Sequence, residues 1–275
     1  MKLNTLYEIL NNSVKNFSER IAFSLWKGNS YTFKQVGEKV AEVQEMLRSA
    51  GLKKGDKVVL LSSNMPNWGV CYFAITTGGY TVVPVLPDFT SADLDRIVEH
   101  SEAKAMCVSD KLFTKISKEV SAKMNIVIRT KNLSVLSQNV KEEGEISVPQ
   151  PEDLAAIIYT SGTTSSPKGI MLSAGNISSN ITFGVERIQL PQGAAVVSML
   201  PLAHLYGLAF EFIYPICGGG HVYFLGKTPT PTLLMQAFKD VRPYMLITVP
   251  LVLEKIMRNK VIPTLEKPAL KLALK

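Results

Sequence analysis

Leu6, Ile9, Leu10, Val14 and Phe17 recur at the spacing of one helix face, so the chain is predicted to open with an amphipathic helix from Leu6 to Phe17. Ile21 to Trp26 has the length and apolar character of a strand, and Lys27-Gly28-Asn29-Ser30 predicts a hairpin turn after it. Thr32 followed by Gln35 has the form of a capping box, and the helix it opens carries Val36, Val40, Val43 and Leu47 on one face and ends near Gly51. Lys54-Gly55-Asp56 turns the chain into a strand from Lys57 to Leu61. A loop beginning Ser63-Asn64-Met65-Pro66-Asn67 leads to a buried helix, Trp68 to Thr77, which Gly78 and Gly79 stop. Thr81 to Val85 then reads as a β-branched strand, Ser91 to Ser101 as a capped helix and Ala105 to Val108 as the next strand. Residues from about Lys131 to Asp153 are polar and bounded by proline, which predicts a connector before the buried strand Leu154 to Ile158. Strand and helix alternate throughout, so the expected fold is α/β, largely parallel, with helices on the sheet faces. There is no internal repeat and no coiled-coil heptad.

The long apolar segment from Ala194 to Gly220 is interrupted by Pro201, His204, Glu211 and Pro215 and ends in three glycines. Those interruptions favour a buried strand, a loop and a short core helix over a membrane-spanning helix. With 46% hydrophobic and 19% charged residues among 275, the chain is an ordinary globular sequence with enough length for a sizeable core. Its net charge of +7 is spread without a basic run or an interleaved aromatic stripe, which speaks against nucleic acid as a partner. Cys71, Cys107 and Cys217 are far apart and form neither a disulfide frame nor a zinc knuckle, which suits a reducing, cytoplasmic setting. His100, His204 and His221 have no metal-ligand spacing, and no metal ligand is assigned. The N-terminus has no secretory apolar region.

Chemistry concentrates in Tyr159-Thr160-Ser161-Gly162-Thr163-Thr164-Ser165-Ser166-Pro167-Lys168-Gly169. A crowd of small residues, hydroxyls and one lysine after a buried strand can bring N–H groups, hydroxyls and an ammonium to one polyanion. An ordinary surface loop has much the same composition. A Walker loop is disfavoured, because Pro167 stands where its second glycine would be and Gly169 where its hydroxyl would be.

The ordered string Tyr-Thr-Ser-Gly-Thr-Thr-x-x-Pro-Lys-Gly resembles the phosphate loop of the adenylate-forming enzymes, with Ser165 where that family usually has glycine. Asn64 to Trp68 with the following glycine pair and Pro84 is similar to the same family, as is Leu200-Pro201-Leu202-Ala203-His204. Arg242 to Pro250, running on to Leu253-Glu254-Lys255-Ile256, is similar to a strand, proline and helix segment of the long-chain fatty-acid CoA ligases. The resemblance extends from about Leu6 to Ile256.

It implies two packed, largely parallel α/β sheets, part of the large N-terminal domain of such an enzyme. The relatives run to roughly twice this length, so residues 1–275 are expected to be a truncated N-terminal portion of the adenylation domain with interleaved subdomains and no clean internal boundary. The implied reaction joins a fatty acid to ATP as acyl-AMP and then to CoA, with Mg as the phosphates' partner. Thr160, Ser161, Gly162, Thr163, Thr164 and Lys168 would hold the phosphates. Lys168 would also neutralise the β/γ charge, and His204 would steady the attacking carboxylate. From the residues alone His204 reads as a core histidine. Tyr206, Phe210, Phe212, Tyr214, Met199, Val249 and Leu253 are either acyl-pocket or plain core residues. Tyr206-Gly207-Leu208-Ala209-Phe210-Glu211 lacks the threonine and the place of the family's aromatic-Gly-x-Thr-Glu signature, so that element is expected beyond residue 275, and this chain alone is expected to be inactive. An aryl- or short-acid CoA ligase and a non-catalytic nucleotide-binding module stay open as alternatives. So does peripheral contact with a membrane, though not a transmembrane span.

Overall fold

Two mixed sheets organise the chain, and local sequence patterns explain most of their elements. The computed structural model describes residues 4–160 and 168–250, and beyond them 253–254, 257–258 and 262–265. Helix α1 (Leu6–Phe17) is capped by Thr5. The hairpin of β1 (Ile21–Leu25) and β2 (Ser30–Thr32) leads to α2 (Phe33–Ser49), where Thr32 and Gln35 make the reciprocal bonds of a capping box. Next come β3 (Lys57–Leu61), α3 (Pro66–Thr77), β4 (Thr81–Pro84), α4 (Ser91–His100) and β5 (Ala105–Val108). Two short helices, α5 (Asp110–Phe113) and α6 (Lys118–Ala122), precede β6 (Ile126–Arg129) and β7 (Val135–Gln138). The chain continues through β8 (Leu154–Thr160), β9 (Lys168–Ser173), α7 (Ala174–Arg187) and β10 (Ala195–Ser198). A helical stretch follows, made of α8 (Leu205–Gly207), a π-helical segment (Leu208–Ile213) and α9 (Tyr214–Cys217), and then β11 (His221–Phe224) and α10 (Pro231–Val241).

The larger sheet has the order β7-β6-β5-β3-β4-β8-β9, and the smaller β10-β11-β1-β2. Parallel pairing joins β6, β5, β3, β4 and β8, while β7 and β9 close the two edges antiparallel. The connector expected at Lys131 to Asp153 thus contains a strand. β7 escapes the pattern because an edge strand is half solvated, and only Val135 and Leu136 of its four residues are apolar. β1 and β2 lie in the smaller sheet beside β10 and β11, although the whole larger sheet intervenes in sequence.

Strand alternation divides the core. Val58 and Leu60 face a cluster shared with α1, α2 and α3, whereas Val59 and Leu61 face one covered by α4 and its neighbours. α3 touches β3 and β4 of the larger sheet and β1 of the smaller, and every one of its residues is buried. That is why its sequence is apolar all round rather than striped. The following glycine pair ends it, with Gly79 at φ +84°, a conformation that costs glycine little.

Phe212, from the π-helical segment, packs against Phe23, Trp68, Tyr72, Phe73 and Phe224. A Cβ on Gly69 would stand 2.7 Å from the Phe212 ring and 3.1 Å from Phe23. Gly69→Val is therefore expected to cost about 1–3 kcal/mol in urea unfolding, by overpacking an interior with no slack; an unchanged midpoint would show that the aromatic cluster can yield.

Residues up to Met245 form one unit and those from Leu246 another. The strand expected at Arg242 to Pro250 is reduced to a single parallel bridge between Val196 and Met245. In the second unit the Leu253 N–H donates to the Val249 carbonyl, and Ile262–Leu265 makes one helical turn. Among the described residues no helix is long and apolar enough to cross a membrane.

Candidate functional site at the carboxyl edge of the larger sheet

The glycine- and hydroxyl-rich segment springs from the end of β8. Antiparallel pairing with β9 carries β8 through Tyr159 and Thr160 and starts β9 at Lys168, so these residues and Gly169 are strand residues rather than loop. Thr160 and Lys168 stand directly opposite each other, both exposed, at the mouth of residues 161–167. Ser161, Gly162, Thr163 and Thr164, the other expected phosphate contacts, lie outside the described residues, as does Ser165. Lys168 makes no ion pair with a described residue.

The hairpin has a rigid base. The Tyr159 ring is buried, and its hydroxyl hydrogen-bonds to His100 Nδ1 at 2.6 Å, tying β8 to the end of α4. Burial pushes the Tyr159 phenol above its usual pKa, so it stays protonated. Gly169 lies beneath that ring: a Cβ there would meet Tyr159 Cζ at 3.3 Å and Ile157 Cγ2 at 2.9 Å.

β8 runs parallel to β4 and β3, so the loop leaves from the edge where the carboxyl ends of those strands lie. Open α/β sheets offer their ligand crevice at that edge. Asn64 belongs to the loop after β3 and occupies the same edge, two strands from β8 and so roughly 10 Å across the sheet. Its Nδ2 donates to Ser198 Oγ at 3.0 Å and to the Leu200 carbonyl at 2.7 Å, while its Oδ1 accepts from the Leu202 N–H at 3.2 Å. The strap from Ser198 to His204, which leaves the carboxyl end of β10 in the smaller sheet, is thereby fastened to the edge from which the β8 loop rises.

His204 closes that strap. Its N–H donates to the Pro201 carbonyl at 3.0 Å, and its own carbonyl accepts from Leu208 as the helical stretch begins. The side chain is exposed and makes no hydrogen bond to a described residue, so it is not the core histidine that its apolar surroundings suggest. The structure brings Thr160 and Lys168 together and joins the strap of His204 to their edge through Asn64. No direct contact between Lys168 and His204 is among those described.

The aromatic residues divide. Phe212 is core, and Tyr214 is buried with its hydroxyl donating to the Ile188 carbonyl, whereas Tyr206 is 47% exposed and meets Phe210 edge-on at 5.6 Å. Met199 packs against the cluster of Val197, Leu225 and Ala237 beneath α10. Val249 and Leu253 fall in the second unit.

The profile of the AMP-binding enzyme family matches residues 10–274. The chain belongs to that family. Similar curated proteins include long chain acyl-CoA synthetase 5 of Arabidopsis thaliana, 26% identical over 261 residues, covering 84% of this chain and 38% of that one. Another is the long-chain-fatty-acid–CoA ligase of Bacillus subtilis, 27% identical over 267 residues, covering 83% and 48%. The chain therefore spans less than half the length of these AMP-binding relatives. Among solved structures, the Klebsiella oxytoca NpsA N-terminal subdomain superposes with a TM-score of 0.80 at 17% identity, covering 96% of this chain and 66% of that one. O-succinylbenzoate CoA synthetase from Bacillus subtilis, in complex with AMP, gives 0.76 at 20%, covering 92% and 64%. The two sheets are those of the N-terminal domain of adenylate-forming enzymes.

Sequence reasoning missed two groups that support this edge and its strap. His100 gives no local signal, since its partner Tyr159 is 59 residues away. Glu211 did give one: a lone carboxyl inside Leu208-Ala209-Phe210-Glu211-Phe212-Ile213. It is fully buried, and its Oε2 accepts from the N–H groups of Met199 and Leu200 at 2.9 and 2.8 Å. Burial pushes its pKa up to about 8, against the opposing pull of those two donors.

Proposed function

We propose that the full-length protein activates a fatty acid with ATP, through acyl-AMP, to acyl-CoA, and that residues 1–275 supply the N-terminal portion of its adenylation domain. The observation that carries this is the carboxyl edge itself, where Thr160 and Lys168 face each other at the mouth of the hydroxyl-rich loop and Asn64 fastens the His204 strap to the same edge. The first half-reaction brings a carboxylate to the α-phosphate of ATP and expels pyrophosphate. Anion repulsion dominates its barrier, so a cation and N–H donors aimed at the phosphates are what it needs.

In this assignment the Lys168 ammonium offsets charge on the β- and γ-phosphates as pyrophosphate leaves. Ser161, Gly162, Thr163 and Thr164, with Thr160, give hydroxyl and backbone donors to the same oxygens. The exposed His204 imidazole meets the acid's carboxylate. CoA thiolate then displaces AMP. Magnesium would accompany the triphosphate, neutralising charge on its oxygens; among the described residues no cluster of three His, Cys, Asp or Glu side chains forms a protein cage for it.

The choice of a long-chain acid rests on the names of the plant and Bacillus relatives. Palmitate is expected to drive ATP–pyrophosphate exchange at least tenfold faster than acetate or benzoate in the full-length protein, a margin that a few buried methylenes readily supply. A preference for benzoate or acetate would replace the fatty acid with an aryl or short acid. No exchange with any of these acids would leave a non-catalytic nucleotide-binding module.

A further inference from the structure

The strap that ends in His204 is held from both sides by side chains that belong to neither the strap nor the phosphate loop. From the larger sheet, the Asn64 carboxamide spends both of its ends on it: two N–H bonds to Ser198 Oγ and the Leu200 carbonyl, and one acceptance from the Leu202 N–H. From the π-helical segment, Glu211 Oε2 takes the N–H groups of Met199 and Leu200. Five hydrogen bonds thus hold four of the five consecutive residues from Ser198, the last of β10, to Leu202. Leu200 is gripped on both sides of its Cα, its N–H by Glu211 and its carbonyl by Asn64. Leu202 is fully buried and Ala203 nearly so, which leaves His204 as the first exposed residue after the grip apart from Pro201. The turn from Pro201 to His204 then sets the direction in which the imidazole leaves the backbone.

The strap's N–H groups at Met199, Leu200 and Leu202 find their partners in these two side chains rather than in a neighbouring strand. The double clamp fixes where an exposed side chain stands relative to the carboxyl edge of the other sheet. We propose that Asn64 and Glu211 are positioning residues that hold the Ser198–Leu202 strap so that His204 meets the acid's carboxylate beside the phosphate loop. This rests on the role given to His204 above. Neither residue touches substrate; each acts through the backbone that carries the imidazole. Asn64→Asp keeps the shape but sets a carboxylate oxygen against the Leu200 carbonyl, turning that bond into a repulsion, while the Ser198 hydroxyl can turn to donate to the new oxygen. Misplacing a reacting group by a fraction of an ångström to an ångström costs about tenfold to a hundredfold in rate.

The test is a double-mutant cycle on the full-length protein, read by ATP–pyrophosphate exchange with palmitate as the probe. His204→Ala and Asn64→Asp are each expected to lower kcat/KM for palmitate by about tenfold or more, with KM for ATP within about twofold of wild type. The pair together is expected to lose no more than His204→Ala alone, because Asn64 has nothing left to position. Multiplying losses, or a normal kcat/KM in Asn64→Asp, would overturn the clamp while leaving the role of His204 intact. A normal kcat/KM in His204→Ala would overturn the role of His204 and the clamp with it. Should Asn64→Asp not fold, Asn64→Ala, which leaves room for water at the Leu200 carbonyl and the Leu202 N–H, enters the same cycle with the same expected coupling. Glu211→Gln retains an oxygen for Met199 and Leu200 and is expected to stay within about threefold of wild type, whereas Glu211→Leu, which removes both bonds, is expected to follow Asn64→Asp. Equal activity in Glu211→Leu and Glu211→Gln would remove Glu211 from the clamp.

Discussion

Lys168→Ala in the full-length protein is expected to slow palmitate-dependent ATP–pyrophosphate exchange by about 10²- to 10³-fold, the scale of removing one preorganised charge from a developing anion. The same substitution should leave the urea midpoint almost unmoved, within about 0.5 kcal/mol. Both halves follow from where the residue sits. Lys168 is the first residue of β9; its backbone pairs with Thr160, and its side chain is exposed without an ion pair to a described residue. Truncation to Cβ keeps the backbone pairing and removes no packing, so the loss is confined to the ammonium. Lys168→Arg separates charge from shape, since the guanidinium keeps the charge but spreads it over a wider fork. Partial activity in Lys168→Arg with none in Lys168→Ala would identify charge as the contribution. Exchange kinetics unchanged in Lys168→Ala would remove this lysine from the phosphates and, with it, the main electrostatic argument for the loop.

Local patterns made most of the fold legible. The Thr32–Gln35 capping box, the apolar helix stopped by Gly78 and Gly79, and the continuous apolar runs of β3, β4 and β5 each carry their signal within a few residues. What escaped is non-local or peripheral. β7 is a short, half-solvated edge strand, and β9 looks like the tail of a loop until pairing with β8 gives it a partner across the sheet edge. The site divides in the same way. The phosphate-loop string is contiguous, so its residue types alone point to a polyanion. Asn64 was visible only as part of a resemblance, because the three bonds that define its place reach 134 to 138 positions along the chain. Phe212 and Tyr214 read equally well as pocket or core from sequence; only the aromatic neighbours of Phe212 and the Ile188 bond of Tyr214 place them in the interior.

Glu211 gives the protein a stability that depends on pH in the direction opposite to that of an ordinary salt-bridged acid. Its folded pKa is pushed up to about 8 by burial, whereas in the unfolded chain it titrates at its ordinary value of 4.5. Between those values the native state holds a proton that the unfolded chain has released. The contribution is therefore full below pH 4.5 and is lost as the pH rises towards 8. At its limit the slope is about 1.4 kcal/mol per pH unit, so the loss across the window is on the order of 3–5 kcal/mol. No discount for solvent screening applies, because the residue is 0% exposed. The geometry agrees with the neutral form. Oε2 accepts two N–H bonds as a carbonyl oxygen can, which leaves the proton on Oε1, an atom with no hydrogen-bond partner among the described residues. A carboxylate would put half its charge on that same unpartnered oxygen. Glu211→Gln holds the acceptor and cannot ionise, so the pH-dependent part should vanish whatever the substitution does to stability at low pH. Urea unfolding of the full-length protein and of Glu211→Gln at pH 5, 6, 7 and 8 isolates it: the variant should gain on the wild type steadily above pH 5. Parallel curves would mean that Glu211 is already ionised at pH 5, and that its two donors outweigh the cost of burying the charge.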